Sequence, residues 1–149
     1  MEITCENLLD KFAIDTESFR NIAAQVLGEL ADPEGEASVV FVSDERMREL
    51  NREYRNKDRT TDVLSFSFHD DPTSPGMIGD VYISLPTALR QAEERDMALE
   101  EELLRLMIHG LLHLVGHTHD AKEDTARMRA REHEFFDAHW PSLEERTAS

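Results

Sequence analysis

Apolar runs of strand length lie between stretches whose apolar residues recur every three or four positions. This mixture predicts an α+β fold, a small mixed β-sheet of about four strands packed with five or so helices. The 149 residues fit one domain, 1–149, long enough to bury most of its apolar surface. Cys5 is the only cysteine, so no intrachain disulfide can form, which suits a reducing compartment.

Residues 2–5 read as a short edge strand. From about 16 to 30, Phe19, Ile22, Ala23, Val26, Leu27 and Leu30 line one stripe of an amphipathic helix. After a DPEGE loop, ASVVFV at 37–42 is a β-branched run bounded by turn signals, the pattern of a buried strand. Ser43 or Asp44 caps a helix in which Met47, Leu50, Asn51 and Tyr54 recur at helical spacing. DVLSFSF at 62–68 alternates, with Leu64, Phe66 and Phe68 on one face and Val63, Ser65 and Ser67 on the other. IGDVYIS at 78–84 alternates again beyond an HDDPTSPG loop, so the two runs pair as a hairpin-like unit. Helices follow over about 86–96 and 98–115, the second with Glu100, Glu101 and Glu102 at its positive end and Leu99, Leu103, Leu106 and Leu112 turned inward. Asp120 and Glu123 form a capping box for a last helix that ends near Trp140-Pro141, leaving a frayed tail.

The net charge of −16 opposes indiscriminate adhesion to nucleic acid. Its distribution is uneven. Residues 44–59 carry Arg46, Arg48, Arg52, Arg55, Lys57 and Arg59 against five carboxylates, so any phosphate-facing surface should include this segment. A solvated helix laced with ion pairs, such as Glu49 with Arg52, accounts for most of these charges. The N-terminal residues lack the basic start and apolar core of a secretory signal, and nothing approaches the run of about 20 apolar residues that spans a bilayer. A soluble, cytoplasmic protein without a membrane partner is the expectation.

The most informative string is HGLLHLVGHTH at 109–119. Histidines four apart stack on one helical face, so His109 and His113 converge on a common point. Gly116 can stop the helix in a left-handed conformation, and the chain can then return a third imidazole, His119. Three neutral nitrogens with one open position is the donor set of a catalytic zinc; a fourth protein ligand, His117 or Asp120, would make the site structural. The offsets make this a zincin-like HxxxHxxGxxH metal helix, similar to the zinc metalloprotease signature HExxHxxGxxH. One position departs. Where those enzymes carry the glutamate base, this chain has Gly110, so peptide hydrolysis by the usual route is not expected.

Three segments together resemble the YbeY family of metal-dependent endoribonucleases. LNREYRNKDRTTDVLSF at 50–66 is similar to the family's LNxxYRxxDxPTDVLSF, IGDVYIS at 78–84 is like its GD strand, and the histidine string completes the set. Thr60 stands where the family usually has proline, and His117-Thr118 where it usually has Tyr-Asp. The resemblance implies one Zn2+ on His109, His113 and His119, with His109 also counted as catalytic. It implies single-stranded RNA rather than DNA as substrate, and a role with the small ribosomal subunit in 16S rRNA 3′-end maturation and ribosome quality control.

Arg55 matches the family's YR position, and its planar guanidinium would clamp a phosphate and stabilise transition-state charge. Without the resemblance, an ion pair with Glu53, Asp58 or Asp62 is the plainer reading. Asp62 and Asp80 are read as structural, capping strand ends or fixing the tautomer of a ligand histidine. No strong general base is evident, which leaves metal-activated water or the substrate's own 2′-hydroxyl as nucleophile. The rival readings are a non-catalytic ribosome-assembly factor braced by a structural zinc, a metallohydrolase of another substrate class, and a nuclease of broad specificity.

Overall fold

The computed structural model describes residues 1–31, 35–68, 73, 76–116 and 121–147. The elements are β1 (Glu2–Asn7), α1 (Thr16–Leu30), β2 (Glu36–Val42), α2 (Asp44–Arg55), β3 (Val63–Ser67), β4 (Met77–Ser84), α3 (Leu85–Glu94), α4 (Leu99–Leu114) and α5 (Lys122–Thr147). The strands form one four-stranded sheet in the order β1-β2-β4-β3. β2 runs parallel to β1 and β4, while β3 is antiparallel to β4, so the sheet is mixed and the α+β expectation holds. β1 is the predicted edge strand, and β3, pairing with β4 alone, forms the other edge.

Side chains alternate across a strand, so the register sorts the sheet's two faces. On one face Ile3, Ala37, Val39, Phe41, Val81 and Ile83 are buried beneath α1 and α4, in a core that includes Phe19, Leu103, Met107 and Leu111. Phe19 of α1 meets Phe41 of β2 edge to face, with ring centroids 5.6 Å apart. On the other face, the Phe66 ring of β3 touches Tyr54 of α2 and Tyr82 of β4, at 5.3 and 5.8 Å. Helices α2 and α4 therefore pack on opposite faces and meet the same edge strand.

Which face of β3 receives α4 is a consequence of side-chain size. The Ser65 hydroxyl donates to the Gly110 carbonyl at 2.9 Å and Ser67 to the Leu114 carbonyl at 3.3 Å, so the small, polar face lies against the helix. Leu64 and Phe66 point away from it. Gly110 allows the close approach: a Cβ there would lie 2.6 Å from Val81 Cγ1, 3.1 Å from Ser65 Oγ and 3.3 Å from Val63 Cγ2. The missing glutamate after His109 thus has a packing cause, because any side chain at 110 would be driven into the sheet.

Ser43 is the cap of α2, its hydroxyl accepting from the Arg46 amide at 3.1 Å. Asp44 instead joins two helices, accepting from Ser84 Oγ and Thr87 Oγ1 at 2.6 Å each and from Arg90 at 2.9 Å. Glu49 pairs with Arg46 at 3.0 Å rather than with Arg52. Glu102, predicted only to favour the helix dipole, is fully buried between Arg95 and Arg105.

The predicted end of the last helix is corrected. Helix α5 runs through Pro141 to Thr147. Proline removes one backbone hydrogen bond, but Leu143 beyond it is buried, and Arg146 donates to Ser18 Oγ at 3.0 Å. That serine also donates to Asp15, the cap of α1, at 2.7 Å, so the end of α5 is tied to the start of α1. The proposed cap at Asp120 lies outside the described residues. Among the described residues, no helix is long and apolar enough to cross a membrane.

Candidate metal centre and its groove

Helix α4 carries His109 and His113 one turn apart, and their rings meet edge to face with centroids 4.6 Å apart. Their Nε2 atoms lie 3.1 Å from each other. Zinc–nitrogen bonds of about 2.0–2.1 Å at a tetrahedral angle place two ligand nitrogens about 3.3 Å apart, so the pair fits one ion with little adjustment.

His109 is oriented from behind. Its Nδ1 lies 2.8 Å from Glu132 Oε1 on α5. An ionised carboxylate only accepts, so this contact favours a proton on Nδ1, the tautomer that presents Nε2 to a metal. Glu132 was not singled out from the sequence. A signal existed: with Met128 and Phe135, both buried, it falls on the helical stripe that faces α4, where a carboxylate is out of place unless paired. Asp62 and Asp80, expected to cap strand ends or to fix a ligand histidine's tautomer, make structural contacts away from His109. Asp80 accepts from Ser38 at 2.5 Å, and Asp62 accepts from Gln91 at 3.3 Å.

Gly116 ends the run as predicted, with φ of 96° and its amide donating to the His113 carbonyl at 3.1 Å. His119, the predicted third ligand, lies outside the described residues, as do His117 and Asp120. Among the described residues, no group of three metal-ligating side chains is assembled.

A groove of about 670 Å³ brings the histidine pair together with the other candidate. Arg55, from the last turn of α2, lines it beside His109 and His113, with Tyr54, Phe66 and Phe68. Its Nη2 donates to the Ser65 carbonyl at 2.5 Å, and the guanidinium lies over the Phe66 ring at 5.2 Å. The ion pair that was the plainer reading is not made: Asp58 is held bidentately by Arg48 at 2.8 and 3.2 Å. Guanidinium and imidazoles reach the groove from opposite faces of the sheet, around its β3 edge.

The fold is thus an α+β layer structure in which the paired-histidine helix α4 and Arg55 at the end of α2 line one groove, the class of site expected of a hydrolase. The family model described as Endoribonuclease YbeY matches residues 4–139. Similar proteins include an Endoribonuclease YbeY of Syntrophotalea carbinolica, 39% identical over 139 residues that cover 90% of this chain and 93% of that protein. Another, from Bacillus cereus, is 39% identical over 150 aligned residues covering 89% of this chain and 96% of the relative. A solution structure from Thermotoga maritima superimposes with a TM-score of 0.66 at 25% identity, covering 97% of this chain and 93% of that one. The chain belongs to the YbeY endoribonuclease family.

Proposed function

We propose that this chain, acting as one domain, is a zinc-dependent endoribonuclease that cuts single-stranded RNA. The observation that carries the reading is the groove in which the paired Nε2 atoms of His109 and His113 face a guanidinium held in place. His119 supplies the third nitrogen of the zinc site. Bound there, the ion would lower the pKa of water or polarise a phosphate oxygen.

Arg55 binds the phosphate. The Ser65 carbonyl takes one of its N–H donors and the Phe66 face supports its plane, which leaves further donors in a fixed fork for phosphate oxygens and for the charge that grows in the transition state. His109 acts in catalysis as a ligand whose orientation Glu132 fixes. Tyr54, 65% exposed on the rim, and the rings of Phe66 and Phe68 offer surfaces on which unpaired bases can stack. Bases in a duplex already stack on each other, so this surface favours single strands. Gly110 supports the same substrate class, since the carboxylate base of a peptidase has no room there. With no carboxylate among the groove's described lining residues, the nucleophile is water activated at the metal site or the 2′-hydroxyl of RNA, which DNA lacks. The biological substrate we infer is 16S rRNA at its 3′ end, met on the small ribosomal subunit in the cytoplasm during maturation and quality control.

The test pairs metal content with cleavage of a single-stranded RNA oligonucleotide by wild type, His113→Ala and Arg55→Ala. Stoichiometric zinc in wild type and Arg55→Ala, with cleavage lost in His113→Ala and slowed roughly 100-fold in Arg55→Ala, is expected. Full turnover by Arg55→Ala would remove the phosphate-clamp role. Stoichiometric zinc with no cleavage by any protein would favour the assembly factor.

A further inference from the structure

A second groove, of about 470 Å³, adjoins the first and shares Arg55 and Leu64 with it. Its other walls are Asn51, Lys57, Arg59, Thr60 and Thr61. Among the described residues no carboxylate lines it, although the chain as a whole carries a net charge of −16.

The loop after α2 creates this local reversal. Asn56 takes a left-handed conformation, φ 56°, which ends the helix and turns the chain. Three contacts then pin the loop: the Lys57 amide donates to the Asn51 carbonyl at 3.2 Å, Asn51 Nδ2 donates to the Arg59 carbonyl at 2.9 Å, and Thr60 Oγ1 donates to the Asp44 carbonyl at 3.3 Å. Asp58 turns back to α2, where Arg48 holds it at 2.8 Å and Arg52 stands at 3.9 Å. Those arginines lower its pKa, chiefly through the Arg48 hydrogen bond, so it stays ionised and neutralised away from the groove. Its neighbours Lys57 and Arg59 are left to the groove, and among the described residues neither has a carboxylate within salt-bridge distance. The backbone is thus fixed, the intervening negative charge is withdrawn, and two cations remain on one wall.

We propose that this groove is a subsite for the backbone phosphates that flank the scissile bond. In it, Lys57 and Arg59 neutralise the phosphates, and Arg55 forms the partition between flanking and scissile phosphates. The inference rests on the proposed ribonuclease reading and extends it: the strand enters over the pinned loop, and its charge is read without regard to base. Such contacts release counterions, so they appear in the salt dependence of binding, with a slope of about −0.7 per phosphate for single strands.

The test is fluorescence anisotropy of a labelled 12-nucleotide single-stranded RNA, titrated across salt concentrations, with cleavage of the same RNA measured in parallel. The proteins are wild type, Lys57→Gln/Arg59→Gln, and a remote control with the same charge change, Arg127→Gln/Arg131→Gln on α5. Only the Lys57 and Arg59 side chains change, while the loop is pinned through backbone groups and the Asn51 and Thr60 side chains, so the double variant should fold; circular dichroism checks this. A fall of about 1.4 in the magnitude of the slope for the loop variant but not the control, independent of base sequence, is expected for two lost contacts. An unchanged slope, or an equal fall in the control, overturns the subsite while wild-type cleavage preserves the ribonuclease. Binding with the expected slopes but no cleavage overturns the ribonuclease and keeps the subsite. No binding by wild type overturns both.

Discussion

Replacing Gly110 by alanine tests the packing on which the site's chemistry depends. In an exposed helix interior the change stabilises by about 1 kcal/mol, because alanine loses less backbone entropy. Here the new Cβ would sit 2.6 Å from Val81 Cγ1, and Val81 is fully buried in the central part of the sheet. Ser65 Oγ at 3.1 Å and Val63 Cγ2 at 3.3 Å close the remaining sides. Overpacking of this kind costs about 1–3 kcal/mol, and a contact against a strand that cannot retreat belongs to the upper part of that range. The net expectation is a loss of about 1–2 kcal/mol, read as a lower urea midpoint at unchanged slope in circular dichroism. On a Val81→Ala background the closest contact is gone, so the same substitution should be neutral or stabilising, a coupling of about 1–2 kcal/mol. Stabilisation of the wild-type background by Gly110→Ala would refute the reasoning, and with it the physical account of why no glutamate follows His109.

Glu132→Gln should keep the fold but weaken zinc binding roughly 10–100-fold, because the amide no longer enforces the His109 tautomer; competition with a chelating dye measures this, and unchanged affinity would free Glu132 from that role. Leu143→Ala should cost about 2–4 kcal/mol in urea unfolding, since Leu143 is 1% exposed, whereas a frayed tail beyond Pro141 would show no change. Burial between α1 and α5 lowers the His139 pKa below its ordinary 6.5, against a smaller opposing effect of Glu29. The folded state then binds the proton less readily than the unfolded one. This histidine's contribution is therefore complete above pH 6.5 and is lost as pH falls below it. His139→Gln should flatten the fall in stability on acidification relative to wild type, and identical profiles would exclude the effect.

Periodicity carried most of the fold because each element has one dominant neighbour. The Phe19 to Leu27 stripe meets a sheet, Val39 and Phe41 alternate into the same core, and the i, i+4 histidines need only helical geometry to converge. What escaped depends on pairs distant in sequence. Glu132 lies 23 positions from His109, and one glutamate among several in α5 becomes special only when α5 docks on α4. Helix α5 outlasts Pro141 for a similar reason, since Leu143 and the Arg146–Ser18 contact gain from a partner that proline rules do not include. Arg55 was legible through its motif, but its release from ion pairing depended on Arg48 claiming Asp58.

The two carboxylate questions at His109 have linked answers. A side chain at position 110 would point into the sheet, where the small face of β3 already touches the helix backbone, so it could not serve the groove. The carboxylate that does reach His109 comes from α5 to Nδ1, the ring nitrogen opposite Nε2, and borders a separate cavity of about 530 Å³ between α4 and α5. It orients the imidazole and does not line the groove where substrate would lie. Packing thus keeps both of these positions, 110 and 132, from presenting a carboxylate to the groove. Among the described residues, the groove is lined by two imidazoles, a guanidinium, aromatic rings and the Ser65 and Ser67 side chains, a set without a carboxylate that suits the phosphodiester substrate proposed above.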